Sequence, residues 1–226
     1  MRMEHIAYAS YKGVVCVPKI KICGITDEWE AEYLNEAGAD YAGFVFYGKS
    51  RRNISIDRAL AGAGRLDLRV LKVAVVVSPT AQFVRGIQAA GFDILQVHGE
   101  FCKEARREAR IPVWRAVNIR NISALEEFFR EEQKQDKRCI RGYVADGGSY
   151  GAGRVFDWEA TGGKLHAYAA GKQLILAGGL AEENVQQGIM RIHPDVVDVS
   201  SGVEEDGRKS REKIKRFIRK VREHGQ

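Results

Sequence analysis

Leu174-Ile175-Leu176-Ala177-Gly178-Gly179-Leu180 and Val196-Val197-Asp198-Val199-Ser200-Ser201-Gly202 are the two stretches that decide the fold. Each is an apolar run that breaks into small residues, the pattern of a buried strand ending where a ligand can approach the backbone. Helical pattern follows both, so free backbone N–H groups are expected to face whatever sits at the strand ends. Two adjacent turns of this kind, late in a β/α chain, are how a barrel enzyme holds a phosphate.

Working outward, the whole chain alternates β-rich runs with amphipathic segments. Strands are expected at Lys19–Cys23, Tyr41–Phe46, Leu71–Val77, Ile94–Val97, Val113–Val117, Gly142–Ala145, Gln173–Ala177 and Val196–Val199. Helices are expected to begin near Asp27, Ser55, Thr80, Glu100, Ser123, Asp157, Ala181 and Ser210, with Thr26 or Asp27, Ser123 and Asp157 as caps. This predicts an α/β protein of the (βα)8 TIM-barrel class, a single domain over residues 18–226 preceded by a short N-terminal extension, residues 1–17. An open doubly wound sheet shows the same alternation, but it usually carries G-x-G-x-x-G after its first strand. Here that strand ends Cys23-Gly24-Ile25-Thr26. The polar stretch Arg130–Arg141 is expected to be a helix end and loop on the outer or lower side of the barrel.

Composition narrows the function classes. At 226 residues, 45% hydrophobic and 29% charged, the chain suits one compact domain with a full core. No apolar run reaches the roughly 20 residues that cross a bilayer, and Met1–Pro18 lacks the pattern of a signal peptide. Cys16, Cys23, Cys102 and Cys139 form no C-x-x-C pair, so free thiols and a cytoplasmic setting are expected. The net charge of +6 raises nucleic acid as a partner. Much of the excess lies in Arg208–Arg222, where Ile214, Phe217, Ile218 and Val221 recur at helical spacing. Its lysines and arginines are therefore assigned to a solvated outer face, with neither nucleic acid nor membrane as partner.

Barrel enzymes place chemistry at the C-terminal ends of strands. Cys23 ends the first strand, with Gly24 opening its tip and Lys19 and Lys21 nearby; a thiolate stabilised there is a base or nucleophile, whereas otherwise the residue is a small buried hydrophobe. Asp146 ends the sixth strand before the glycine-rich run Gly147-Gly148-Ser149-Tyr150-Gly151-Ala152-Gly153-Arg154, and serves either as an acid or as a loop cap. Arg52, in Lys49-Ser50-Arg51-Arg52, can grip a carboxylate bidentately or stay solvated. His98 follows the fourth strand, as a site residue or a loop histidine bonded to backbone. No His/Asp/Glu spacing suggests a metal, so cofactor-free catalysis is expected.

These residues fall within ordered motifs: Lys21-Ile22-Cys23-Gly24-Ile25-Thr26, Gly43-Phe44-Val45-Phe46-Tyr47, Lys49-Ser50-Arg51-Arg52, Gln96-Val97-His98-Gly99-Glu100, Phe156-Asp157-Trp158, Leu176-Ala177-Gly178-Gly179-Leu180 and Val197-Asp198-Val199-Ser200-Ser201-Gly202-Val203-Glu204. Together, from Pro18 to Arg222, they closely resemble the phosphoribosylanthranilate isomerases of tryptophan biosynthesis. The resemblance implies a (βα)8 barrel that rearranges N-(5-phosphoribosyl)anthranilate, an aminoaldose, into 1-(2-carboxyphenylamino)-1-deoxyribulose 5-phosphate. It implies Cys23 as general base, Asp146 as general acid, Arg52 at the anthranilate end, and Gly178, Gly179, Ser200, Ser201 and Gly202 as the phosphate cup. His98 and Asp198 complete the expected substrate-binding set. The acid needs its pKa raised and the thiol needs to be partly ionised, so shifts of opposite sense are expected.

Departures from the family pattern fall outside the acid–base pair. Gly48 and Arg51 stand where proline or lysine is common, which leaves open whether Arg51 or Arg52 holds the carboxylate. Tyr150 and Ala152 alter the glycine loop, and Ala181-Glu182 replaces a common Asn-Pro that caps a helix. The rival readings are a related barrel isomerase acting on another aminoaldose, and a non-catalytic sugar-phosphate-binding barrel. Paired aspartates at the first and fifth strand ends mark the histidine-pathway isomerases, and Cys23 speaks against that reading. A monomer or a homodimer suits the sequence equally.

Overall fold

Every strand expected from the sequence forms, and each is followed by a helix before the next begins. The computed structural model describes residues 17–147 and 155–223. In chain order the strands are β1 (Lys19–Cys23), β2 (Tyr41–Phe46), β3 (Leu71–Val77), β4 (Ile94–His98), β5 (Val113–Ile119), β6 (Ile140–Gly147), β7 (Gln173–Leu176) and β8 (Val196–Val199). They close into a parallel barrel in that order, β8 returning to pair with β1 so that Lys21 lies opposite Asp198. The helices are α1 (Glu28–Ala37), α2 (Ile56–Ala63), α3 (Ala81–Ala89), α4 (Lys103–Glu108), α5 (Ile122–Glu132), α6 (Trp158–Ala169), α7 (Val185–Ile192) and α8 (Arg211–Arg222). The extension and most of the glycine-rich loop lie outside the described residues, apart from Val17 and Gly147.

Alternation along each strand produces two apolar layers. Ile20, Ile22, Phe44, Ala74 and Val76 point outward and pack beneath the helices. Cys23, Tyr41, Val45, Val73, Val75, Ile94, Trp114 and Ile175 point into the barrel and fill it. At the N-terminal end Trp114 meets Tyr41 edge-on, centroids 5.0 Å apart, and donates its indole N–H to Gln173 Oε1 at 3.1 Å. Gly142 makes room for that indole, because a Cβ there would sit 2.9 Å from Trp114 Cδ1. Burying one large apolar side chain stabilises by about 1.5–3 kcal/mol, so these layers supply most of the driving force.

Several local expectations are corrected. β5 and β6 run past Val117 and Ala145 because parallel pairing continues to Asn118–Asp146 and Ile119–Gly147. Asn121, not Ser123, caps α5: its side chain accepts from the Ala124 N–H at 2.8 Å. Asp27 caps α1 through a capping box with Glu30, and Asp157 caps α6. α4 begins at Lys103, beyond Glu100. The polar stretch Arg130–Arg141 does hold a helix end and loop, yet its Glu132 is buried and clasps Arg106 through two 2.8 Å hydrogen bonds. On α8 the expected face, Ile214, Phe217, Ile218 and Val221, is buried. On the other face Arg211 and Lys215 pair with Glu36, and Arg216 with Glu182.

Candidate active site

The strand ends converge on a cavity of about 390 Å³ at the C-terminal mouth of the barrel. Cys23, Gln96, His98, Asp146 and Asp198 reach it from the strands, and Arg52, Gly178, Gly179, Ser200 and Ser201 from the loops that follow. The barrel thus gathers nearly every site residue expected from the sequence, drawn from segments far apart in the chain. Gly202 is the exception, lying behind the wall: a Cβ there would come within 2.1 Å of Leu180 O.

At the base of the cavity is an ion pair, in which Lys21 does more than lend nearby positive charge. Lys21 is fully buried and donates from Nζ to Asp198 Oδ2 at 2.7 Å. Oδ1 of Asp198 has no hydrogen-bond partner among the described residues. Strand alternation carried a signal: Lys19, Lys21 and Cys23 share one face, and a lysine facing a barrel interior requires a buried counter-ion. Gly43 leaves space for this cluster, since a Cβ there would lie 2.9 Å from Cys23 Sγ and 3.1 Å from Lys21 Cε.

Burial and the neighbouring Asp198 push the Asp146 carboxyl up to about 7. Near neutral pH it is therefore divided between the acid and its anion. The thiol departs from the expectation of opposite shifts. Burial pushes Cys23 up as well, and the Lys21 ammonium only partly offsets this because Asp198 shares its charge. His98 is held down to about 3 by burial and by the cations of Lys21 and Arg115, so it is a neutral imidazole. Its Nε2 lies 2.9 Å from the side-chain nitrogen of Gln96, a donor, which fits that neutral form.

Arg52 is buried at the rim, and one edge of its guanidinium is occupied. Nε donates to Glu204 Oε1 at 2.6 Å and Nη2 to Oε2 at 2.9 Å. Arg51 reaches the same carboxylate but is largely exposed. Gly24 lets the Arg52 stem lie across the tip of β1: with φ +83°, a Cβ there would fall 2.3 Å from Arg52 Cδ.

The two turns of the opening motifs stand side by side, but neither leads straight into a helix. After β7, residues 181–184 intervene before α7; Asn184 accepts from the Ala181 N–H at 2.9 Å and donates to Gly179 O at 2.8 Å, bracing the Gly178-Gly179 turn. After β8 come a 3-10 turn, Ser201–Val203, and a two-residue hairpin, Glu204–Glu205 with Arg208–Lys209, before α8. Ser200 Oγ donates to Cys23 O at 2.8 Å and so ties the second turn to the end of β1. Among the described residues no group of three or more His, Cys, Asp or Glu side chains is gathered as a metal site, and no helix is long and apolar enough to cross a membrane.

A closed eight-stranded parallel barrel, with small-residue turns after its last two strands and ionisable groups at its mouth, defines the class: a (βα)8-barrel enzyme. Residues 20–220 match the model of the N-(5'-phosphoribosyl)anthranilate (PRA) isomerase family. Named N-(5'-phosphoribosyl)anthranilate isomerase are relatives from Streptococcus mutans, 36% identical over 90% of this chain and 98% of the relative, and from Streptococcus gordonii, 38% identical over 91% and 98%. The crystal structure of phosphoribosyl anthranilate isomerase in complex with reduced 1-(o-carboxyphenylamino)-1-deoxyribulose 5-phosphate superposes with TM-score 0.78 at 32% identity, over 91% of this chain and 99% of that one. The chain belongs to the N-(5'-phosphoribosyl)anthranilate isomerase family.

Proposed function

We propose that this chain converts N-(5-phosphoribosyl)anthranilate into 1-(2-carboxyphenylamino)-1-deoxyribulose 5-phosphate, the aldose–ketose isomerisation that is the third step of tryptophan synthesis from chorismate. Asp146 is the general acid and Cys23 the general base. The 5-phosphate rests on the turns at Gly178-Gly179 and Ser200-Ser201, with Gly202 packed behind them, and Arg52 takes the anthranilate carboxylate. Asp198 and His98 bind the sugar between them. The enzyme works in the cytoplasm, as a monomer or homodimer, on this small molecule.

Asp146 gives its proton to the furanose oxygen as the ring C–O bond breaks, and the anilinic nitrogen forms a Schiff base. The Cys23 thiolate then removes the C2′ proton, leaving an enolamine that tautomerises to the ketone. The observation that carries this reading is the Asp146 carboxyl and the buried Cys23 thiol lining one cavity, beside the small-residue turns that follow β7 and β8. Lys21 supports the thiolate once formed, since its ammonium draws the thiol downward against burial. Arg52 suits the carboxylate better than Arg51 because it is desolvated and already oriented.

The test is turnover of phosphoribosylanthranilate made in situ, together with rescue of a tryptophan-requiring strain that lacks only this isomerase. Growth and loss of substrate fluorescence are expected. A soluble, folded protein that gives neither rejects the reading.

A further inference from the structure

Glu204 belongs to the motif that ends in Val203-Glu204, and its place in the fold exceeds what a surface carboxylate would need. It begins the small hairpin after β8, is buried, and gathers four cations. Arg52 meets it with two nitrogens, Lys209 Nζ donates to Oε1 at 2.7 Å, Arg51 reaches Oε2, and Lys213 Nζ donates to its backbone carbonyl at 2.8 Å. Lys209, itself buried, also donates to Ser200 O at 3.1 Å and Ser200 Oγ at 3.3 Å.

The geometry on Arg52 is selective. Glu204 engages the Nε–Nη2 edge and leaves Nη1 without a partner among the described residues, while Arg52 lines the cavity. A guanidinium fixed along one edge loses little freedom when its remaining N–H groups meet a second carboxylate. Glu204 also joins the two ends of the cavity, since Lys209 links its carboxylate to the Ser200 turn. Resting on the proposed function, we infer that Glu204 is a positioning residue: it orients Arg52 toward the substrate carboxylate and, through Lys209, sets the distance between that arginine and the phosphate turn.

Two inhibitors test it, the reduced product carrying the 2-carboxylate and the same molecule made from aniline, which lacks it. Glu204→Gln keeps the size of the side chain and removes its charge. Loss of an orienting charged contact is expected to weaken the carboxylated inhibitor and raise KM by about ten-fold, with kcat little changed. The aniline-derived inhibitor is expected to bind wild type and variant alike. Equal weakening of both inhibitors, or of neither, overturns the inference, because a merely structural role does not distinguish them. Should Glu204→Gln fail to fold, Glu204→Asp carries the same comparison, and equal effects there overturn it too. Wild-type enzyme that binds neither inhibitor and turns over no substrate rejects the proposed function instead.

Discussion

Cys23 and Asp146 are alike in being pushed upward by burial, and this bears directly on how they share the work. Losing either group is expected to lower kcat by about 10²–10⁴-fold, the usual contribution of general acid–base assistance. Cys23→Ala and Asp146→Asn are therefore expected to be folded by circular dichroism and almost inert in the fluorescence assay. Near-wild-type turnover in either would remove it from the mechanism. The pH dependence follows from the same two groups. In the proposed mechanism the productive form has Asp146 protonated and Cys23 ionised. Below about pH 7 Asp146 is already mostly protonated, so activity falls as the thiolate fraction falls. Between that value and the raised thiol range, the losing acid and the gaining base offset each other and kcat/KM is level. Above the thiol range only the acid continues to be lost, and activity falls again. A bell with an acid limb near 7 and a basic limb above the ordinary cysteine range is expected in kcat/KM against pH. An acid limb that persists unmoved in Asp146→Asn, whose residual rate can still be followed, would assign it to another group.

At the scale of elements, the β7–α7 turn tests how tightly backbone geometry frames the site. Gly178 has φ +81°, and a Cβ there would lie 2.3 Å from Gly147 N and 2.5 Å from Asp146 Oδ1. Gly178→Ala is expected to cost roughly 1–2 kcal/mol for the left-handed backbone alone, and to displace the carboxyl of Asp146 as well. Its kcat/KM should fall while Gly171→Ala, at φ +77° with nothing within 4 Å, loses stability without losing activity. Equal kinetics in the two variants would show that the turn does not set Asp146. This contrast also marks what the sequence could convey. Strand positions were legible because alternation and small-residue endings are local, and so was the placing of Cys23, Asp146 and the two turns at the strand ends that meet in the cavity. Asn121 was missed as a cap because Ser123 lies two residues on and is an equally good cap by type. The grip of Glu204 on Arg52 and the meeting of Lys21 with Asp198 were not legible, since each joins residues at opposite ends of the chain that only barrel closure brings together. The upward shift of the thiol was hidden for the same reason: it depends on where the charge of Lys21 is spent.

Across the whole molecule, apart from the Glu204 cluster at the rim, buried ion pairs lie both inside the barrel and outside it, and these two sets do different work. The inner set is Lys21 with Asp198 at the cavity floor. The outer set lies between the barrel wall and its helices, where Glu132 at the end of α5 pairs with Arg106 of α4 at 2.8 Å and with Arg115 of β5 at 3.4 Å. Arg106 also donates to Phe101 O and Asp136 O, and Arg115 to Val97 O, so the cluster fastens β4, β5, α4 and α5 to one another. Removing Glu132 would leave two guanidinium groups buried near each other without the carboxylate they share. Breaking a buried pair in this way typically costs about 3–5 kcal/mol, far more than an exposed pair is worth. Glu132→Ala is therefore expected to lower the urea midpoint by an amount of that order, whereas Glu126→Ala, which breaks an exposed pair with Lys164, should move it little. Activity in the absence of urea should survive in Glu132→Ala, because Arg115 keeps its carbonyl partners and none of the three charges lines the cavity. If the two variants melt alike, the outer cluster contributes no more than its surface counterpart; if Glu132→Ala is stable but inactive, it belongs to the site after all.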